Sequence, residues 1–459
     1  MSLNSANLLE VIILAAGKGT RMYSSTPKVL HRIGGQPLLG HVINAATQLG
    51  AYKIHVVIGF EGEAVKAHFS ATGLNWATQT EQLGTGHAVA QALPNIPDDR
   101  TVLVLYGDVP LIQPETLKAL TQACHANAMA VLTVLSSDPK GLGRIVRDKL
   151  GRTVAIVEEK DADAQQKLIP ETNSGILAAP AGLMRKWLAA LSPKNAQGEY
   201  YLTDIIASAV AEDCEVATLT LHDELEVLGV NNKLQLAQLE RHYQGRIAEQ
   251  LMLAGVGLSD PARIDVRGTL QCGRDVEIDI NAIFEGEVTL GNGVIIGPNV
   301  FIKNSHIGDN SHIFSNSHIE ETTIAENCAI GPFARLRTGT SLAEGAKIGN
   351  FVETKKVQVG KGSKINHLSY VGDATVGDNV NIGAGTITCN YDGVNKHHTT
   401  IKDGVFVGSN TALVAPVIIG EKATIGAGST ITKDVGREEL GLARGRQCNV
   451  EGWKRPTKK

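Results

Sequence analysis

LGNGVIIGPNVFIKNSHIGDNSHIFSNSHI, Leu290–Ile319, decides the fold of the second half of the chain. Aliphatic residues stand six apart at Leu290, Ile296 and Ile302, and after a one-residue shift at Ile307, Ile313 and Ile319. The same step continues through Ile324, Ile330, Leu336, Leu342 and Ile348, then Val359, Ile365 and Val371, then Val376 and Ile382, and resumes at Ile401, Val407, Leu413, Ile419, Ile425 and Ile431. A six-residue period sustained over this length predicts a parallel β-helix whose aliphatic residues all point into one prism-shaped core.

His306, His312 and His318 repeat at the same spacing. Three hexads make one triangular coil, so these side chains should diverge from three outward faces and cannot meet at one zinc ion. The informative feature is a break between Ile382 and Ile401, GAGTITCNYDGVNKHHTT, a polar loop of the kind that carries function on a regular scaffold. His367 precedes it in KINHLSYVGD. By itself a single histidine is more often structural than catalytic.

Up to about residue 230 strands and helices alternate. Ile54–Phe60, Thr101–Asp108, Ala130–Ser137 and Thr153–Lys160 read as strands, and Leu38–Leu49, Gly86–Leu93 and Pro114–Ala126 as helices. Such alternation predicts a largely parallel sheet with ligands beyond the carboxyl ends of its strands. Two segments fit that position. After the buried run Val11–Leu14 comes LAAGKGTRM, Leu14–Met22, whose glycines open a loop of amide N–H groups beside Lys18, Arg21 and Lys28, suited to nucleotide phosphates. It is neither a Walker A loop nor GxGxxG, because Met22 replaces the last glycine. Asp108 closes the run VLVLY, placing a carboxylate where it can hold magnesium together with substrate phosphates.

The chain has 459 residues, a net charge of −4, 49 glycines and few aromatics. Two domains follow from the length, and the charge gives no case for nucleic acid. No apolar run spans a membrane and no leader precedes the first strand, which points to the cytoplasm. The six scattered cysteines contain no CxxC pair. Between the halves, Asn231–Ala254 carries Leu236, Leu239, Tyr243, Ile247 and Leu251 in steps of three and four, the pattern of one long helix.

LAAGKGTRM, STPKVLH, QLGTGHA, YGDVPL, GRIVR, VEEKDA and NSGI occur in this order over about two hundred residues. Together they resemble the sugar-phosphate nucleotidylyltransferases, and within them the bifunctional N-acetylglucosamine-1-phosphate uridylyltransferase/glucosamine-1-phosphate N-acetyltransferases. The resemblance implies an α/β, Rossmann-like nucleotidylyltransferase domain (1–233), a linker helix (234–254) and a left-handed parallel β-helix acetyltransferase domain (255–459), assembled as a homotrimer. It implies that Leu14, Ala15, Ala16, Gly17, Gln79, Gly84, Thr85 and Tyr106 hold UTP, and that Gly143, Glu158 and Asn173 hold the sugar. Asp108 and Asn231 would bind Mg²⁺, and Arg21 and Lys28 would neutralise phosphates during attack on the α-phosphorus. Leu142 stands where the family carries an aromatic.

In the second half the same resemblance makes His367 the general base that takes a proton from the glucosamine-1-phosphate amine, a task suited to an imidazole. Arg337, Lys355, Tyr370 and Asn381 would hold that amino sugar phosphate. Ala384, Asn390, Tyr391, Ser409, Ala427 and Arg444 would contact acetyl-CoA, at sites between subunits. The implied product is UDP-N-acetylglucosamine for cell-wall precursors, with N-acetylglucosamine-1-phosphate as the intermediate. Two other readings fit the architecture. One is a monofunctional pyrophosphorylase with a structural β-helix, against which Lys355, His367 and Tyr370 stand. The other is a regulatory assembly protein, against which Lys28, Asp108, Asn231 and His367 stand together.

Overall fold

The computed structural model describes residues 8–59 and 61–458. It divides into two units, one ending at Tyr243 and the other beginning at Gln244.

The first unit is built on β1 (Leu9–Ala15), β2 (Lys53–Ile58), β3 (Asn75–Thr78), β4 (Thr101–Tyr106), β5 (Ala128–Leu135), β6 (Glu171–Pro180) and β7 (Glu215–Leu221). Their order across the sheet is β7-β5-β6-β4-β1-β2-β3. All neighbours are parallel except β6, which is antiparallel to both β4 and β5. The central strand β1 is apolar on both faces because both are covered. Val11 and Ile13 pack with α1 (Leu38–Gln48), whereas Ile12 and Leu14 pack with α2 (Thr85–Ala92). Pro114 opens α3 (Pro114–Gln122) at a position where no amide hydrogen bond is lost, and Leu117 and Leu120 seat it on the α1 face. Trp187 and Met184 of α4 (Ala181–Ala189) fill the opposite face.

The helix α5 (Lys233–Leu253) is continuous, and the division between the units falls inside it. Its first half buries Leu239 against Met22, Ile33, Leu38, Leu111 and Val230. Within the second unit the Gln244 side chain pairs like a strand with Val266, accepting from its N–H at 2.8 Å and donating to its carbonyl at 2.9 Å. Ala248, Ile247 and Leu251 join the core there.

That core is the aliphatic column the period predicted. Ile296 pairs with Ile313, Ile313 with Ile330, Ile330 with Ile348 and Ile348 with Ile365, all in parallel register, so one coil takes 17 or 18 residues. Every six-spaced aliphatic from Leu290 to Ile431 is buried. Two coils depart from the aliphatic rule. Thr354 and Thr388 occupy inward positions, where Thr354 bonds to Thr340 and Thr388 bonds to both the N–H and the carbonyl of Gly372. The period therefore does not fail at Ile382 as expected. It runs through Thr388, and the inserted loop is confined to about residues 390–398. There Asp392 accepts from the Val394 and Asn395 N–H groups and pairs with His397 at 2.7 Å, closing the loop on itself.

The three repeated histidines diverge as expected, but two are not simply solvated. His312 stacks on Phe314, while His318 lies against Phe301 and pairs with Glu320 at 2.8 Å. Among the described residues no three His, Cys, Asp or Glu side chains are grouped to hold a metal, and no helix is long and apolar enough to cross a membrane.

Ile324→Ala, in the wholly buried column, is expected to cost about 2–5 kcal/mol of stability. Thr323→Ala, on the exposed side of the same strand, should cost well under half of that. Denaturant unfolding followed by circular dichroism measures both, and equal losses would contradict the inward assignment.

Two candidate active sites

The first site is a cavity of about 320 Å³ at the carboxyl ends of β1, β3 and β4. Leu14, Ala15, Ala16 and Gly17 form one wall, Gln79, Gly84 and Thr85 another, and Lys28, Tyr106 and Asp108 the end beside β4. Gly59 keeps the loop in place, because a Cβ there would lie 2.7 Å from the Ala16 carbonyl. Gln82 donates to that same carbonyl at 2.7 Å.

Two cations and two acceptors converge at the β4 end. The Lys28 ammonium is in contact with the Asp108 carboxylate and lies 3.4 Å from the Asn231 amide oxygen, which also accepts from Arg21 at 3.0 Å. Asn231 is oriented from behind, since its N–H donates to Gln235 and the Val230 N–H donates to the Asp108 carbonyl. A carboxylate and an amide oxygen already facing a cation form the hard donor set that suits a divalent ion completed by phosphate oxygens and water. Asp108 and Asn231 therefore fit a metal, with Lys28 marking the place of positive charge.

Gly143, Glu158 and Asn173 also come together. The Asn173 N–H donates to the Gly143 carbonyl at 2.9 Å, and a Cβ on Gly143 would stand 3.4 Å from both Glu158 oxygens. Burial, reinforced by the charges of Asp204 and Asp161, holds the Glu158 carboxyl above its ordinary range despite a bond from Thr203. Burial likewise raises the Tyr106 hydroxyl, helped by Glu158 and Asp108. Gly175 adopts φ 83° beneath that ring, where a side chain would collide with it at 2.6 Å. Leu142, at the expected aromatic position, is 39 % exposed.

The second site follows one corner of the β-helix. The Gly385 N–H donates to the carbonyls of His367 and Leu368, Asn410 to Ala384, Gly428 to Ser409, and Arg444 Nη1 to Ala427. His367, Ala384, Ser409, Ala427 and Arg444 are thus stacked one coil above another. His367 Nδ1 lies 2.7 Å from Asn350 Oδ1. An amide oxygen can only accept, so Nδ1 carries the hydrogen and Nε2 presents its lone pair. Arg337 pairs with Glu353 at 2.7 Å, and Glu353 faces Tyr370 across adjacent strands, with Lys355 two residues on. Asn381 lies on the sheet of Lys364, away from Arg337. Tyr391 is exposed on the loop, whereas Asn390 is buried with its side chain on Asp373.

Gln82, Asn350 and Glu353 were not singled out by sequence. Gln82 sits inside the motif QLGTGHA, so a signal existed there. The other two are polar residues of the repeat with no pattern to mark them.

Residues 11–155 match the MobA-like NTP transferase domain family, 266–367 the GMPPB C-terminal domain, and 398–433 the bacterial transferase hexapeptide family. A bifunctional protein GlmU of Marinobacter nauticus is 60% identical over 450 residues, which are 98% of this chain and 99% of that protein. One from Saccharophagus degradans is 57% identical over 452 residues, 98% of this chain and 100% of its own length. A solved nucleotidyl transferase from Methanothermobacter thermautotroptrophicus shares 16% identity over 52% of this chain and 98% of its own, at a TM-score of 0.38, too distant to bear on either site. With near-complete coverage at such identity, the chain belongs to the bifunctional GlmU family.

Proposed function

We propose that the two activities of this bifunctional enzyme of UDP-N-acetylglucosamine biosynthesis are divided between the two sites. Uridylyl transfer belongs to the β1–β4 cavity, and acetyl transfer to the β-helix corner. The observation that carries the division is the difference in chemistry. The cavity gathers cations around one carboxylate, while the corner presents a histidine with a free Nε2.

In the cavity an oxygen of N-acetylglucosamine-1-phosphate attacks the α-phosphorus of UTP and pyrophosphate leaves. Phosphoryl chemistry of this kind needs alignment and charge neutralisation more than covalent help. The loop amides from Leu14 to Gly17 and the ends of Lys28 and Arg21 supply positive potential for the phosphates. Gly143, Glu158 and Asn173 place the sugar, Glu158 as an acceptor for its hydroxyls. Nucleotide-sugar chemistry generally needs a divalent metal, and here Asp108 and Asn231 would hold Mg²⁺. Bound there, it would neutralise phosphate charge as pyrophosphate departs.

At the corner, His367 Nε2 takes a proton from the amine of glucosamine-1-phosphate as the nitrogen attacks the acetyl thioester. An N–C bond forms, the C–S bond breaks, and coenzyme A leaves as the thiolate. Asn350 keeps the imidazole in the tautomer that can act. Arg337, Lys355 and Tyr370 meet the phosphate and sugar. Ala384, Ser409, Ala427 and Arg444 line the track for acetyl-CoA, with Tyr391 over it and Asn390 anchoring the loop.

A trimer is supported by one corner column. Asn281, Asn299 and Asn316 turn it through positive φ, which asparagine tolerates, and then Phe333, Phe351 and Leu368 do the same. The two phenylalanine rings stack at 5.2 Å while remaining about half exposed. Bulky apolar side chains in a disfavoured conformation facing water are what an interface between copies would cover. The six cysteines are free, and with no membrane-length helix among the described residues we assign the enzyme to the cytoplasm.

Three outcomes are expected. Asp108→Asn should lower uridylyl transfer by ~100-fold or more with acetyl transfer intact, read as pyrophosphate and thiol release from one preparation. With N-acetylglucosamine-1-phosphate supplied so that the second reaction does not depend on the first, His367→Ala should lower acetyl transfer by at least ~100-fold and spare pyrophosphate release, with Asn350→Ala losing a smaller factor; joint loss of both activities under that supply would sink the two-site division. Replacing Phe333 and Phe351 by Asn, which suits the backbone, should reduce the sedimentation coefficient to that of a single chain. A double variant that stays trimeric would remove this corner from the interface.

A further inference from the structure

The strand order β4-β1-β2-β3 fixes the order of groups along the first cavity. Charge is concentrated beside β4, at Lys28 and Asp108, so phosphates lie there. Gln79, immediately after β3, therefore marks the end left for the nucleobase.

Gln79 is only 5% exposed. Its Nε2 donates to the Gly84 carbonyl at 3.0 Å and lies 3.1 Å from His87 Nδ1. His87 Nε2 faces Gln91 Nε2 at 3.1 Å, and that amide nitrogen also reaches the His87 carbonyl at 3.1 Å. A neutral imidazole offers one lone pair and one N–H, so it accepts from one of these amides and donates to the other. Gln79 is the better-fixed donor, because it is buried and its second N–H is held by Gly84. Gln91 is only half-buried, so it is the amide that yields, turning its oxygen to the ring N–H at the cost of its bond to the His87 carbonyl. The Nδ1 lone pair of His87 then holds Gln79 Nε2, and Gln79 Oε1 is the atom left for a ligand.

We propose that His87 is a positioning residue for base selection: by fixing the Gln79 amide it presents a carbonyl oxygen to the nucleobase. A uracil ring has an N–H at N3 and is accepted there. A cytosine ring has a lone pair at N3, so oxygen would face nitrogen with no hydrogen between them, and buried groups left unpaired in this way discriminate strongly. This inference rests on the reading of the cavity as a nucleotide site.

Equilibrium titration of the full chain with UTP and with CTP tests it. Wild-type protein is expected to bind UTP at least ~100-fold more tightly than CTP. His87→Ala removes one of the two acceptors that fix the Gln79 amide, leaving only the Gly84 carbonyl, and should narrow that ratio by ~10-fold or more. His87→Asn, whose side-chain oxygen falls near the place of Nδ1, should keep it. Acetyl transfer by each variant shows that the chain has folded. An unchanged ratio in His87→Ala, or equal weakening of both nucleotides, overturns the positioning role. Wild-type protein that binds neither nucleotide while still transferring acetyl groups overturns the nucleotide reading itself, and the inference with it.

Discussion

An ammonium, a carboxylate and an amide brought largely out of water must satisfy one another, and Lys28, Asp108 and Asn231 do so across three distant stretches of chain. Their meeting depends on apolar residues directly beneath them. Met22 follows Arg21, Leu111 lies three residues after Asp108, and Val230 precedes Asn231; all three are buried together with Ile33, Leu38 and Leu239. The trio is thus placed by a small hydrophobic cluster rather than by its own attraction, which is largely offset by the cost of taking the two charges out of water. Leu239 belongs to α5, so the start of that helix is part of what holds the phosphate end in shape.

The β-helix obeys a different constraint. Each coil must return to the same inward position every sixth residue, and the backbone at the corners must turn sharply. Inward threonines are tolerated where their hydroxyls find partners, as Thr388 does on the backbone of Gly372. The corners are where successive coils repeat identical geometry, so residues far apart in sequence fall into line. His367, Ala384, Ser409 and Ala427 form one such line without any side-chain contact being needed to align them.

This explains which parts were legible in the sequence. Periods of six and the alternation of strands with helices report burial, so the two architectures and the six-spaced aliphatic column could be read directly. Motif glycines and charges at strand ends, such as Gly17 and Asp108, were legible because the open sheet has one functional edge. The extent of the inserted loop is not legible, because Thr388 is polar in sequence and its pairing with Gly372 is visible only across coils. Asn350 has no mark in the sequence, and His87 has only its place inside QLGTGHA. Each acts by fixing the tautomer or amide orientation of a neighbour, and that relation exists only once two separate segments have been brought within 3 Å or so.

The two sites also differ in what they require from outside their own unit. The cavity at the ends of β1, β3 and β4 is concave and already contains its counter-charges, so nucleotide and sugar can be enclosed by residues of one chain. A β-helix corner is convex. His367 is exposed at its edge, and a substrate lying along the line to Ala427 would touch protein on one side only. General-base transfer from an amine to a thioester gains from exclusion of water, since an acetyl thioester can be lost to hydrolysis. A second convex surface laid against the first would turn that open edge into a groove. The apolar column of Phe333, Phe351 and Leu368 begins on the coils that precede His367 and ends beside it, in the place such a surface would have to meet. On this view the strain at that corner and the exposure of the base have one cause. The proposed acetyl site would then be completed between copies, by the same contacts that would cover the phenylalanines.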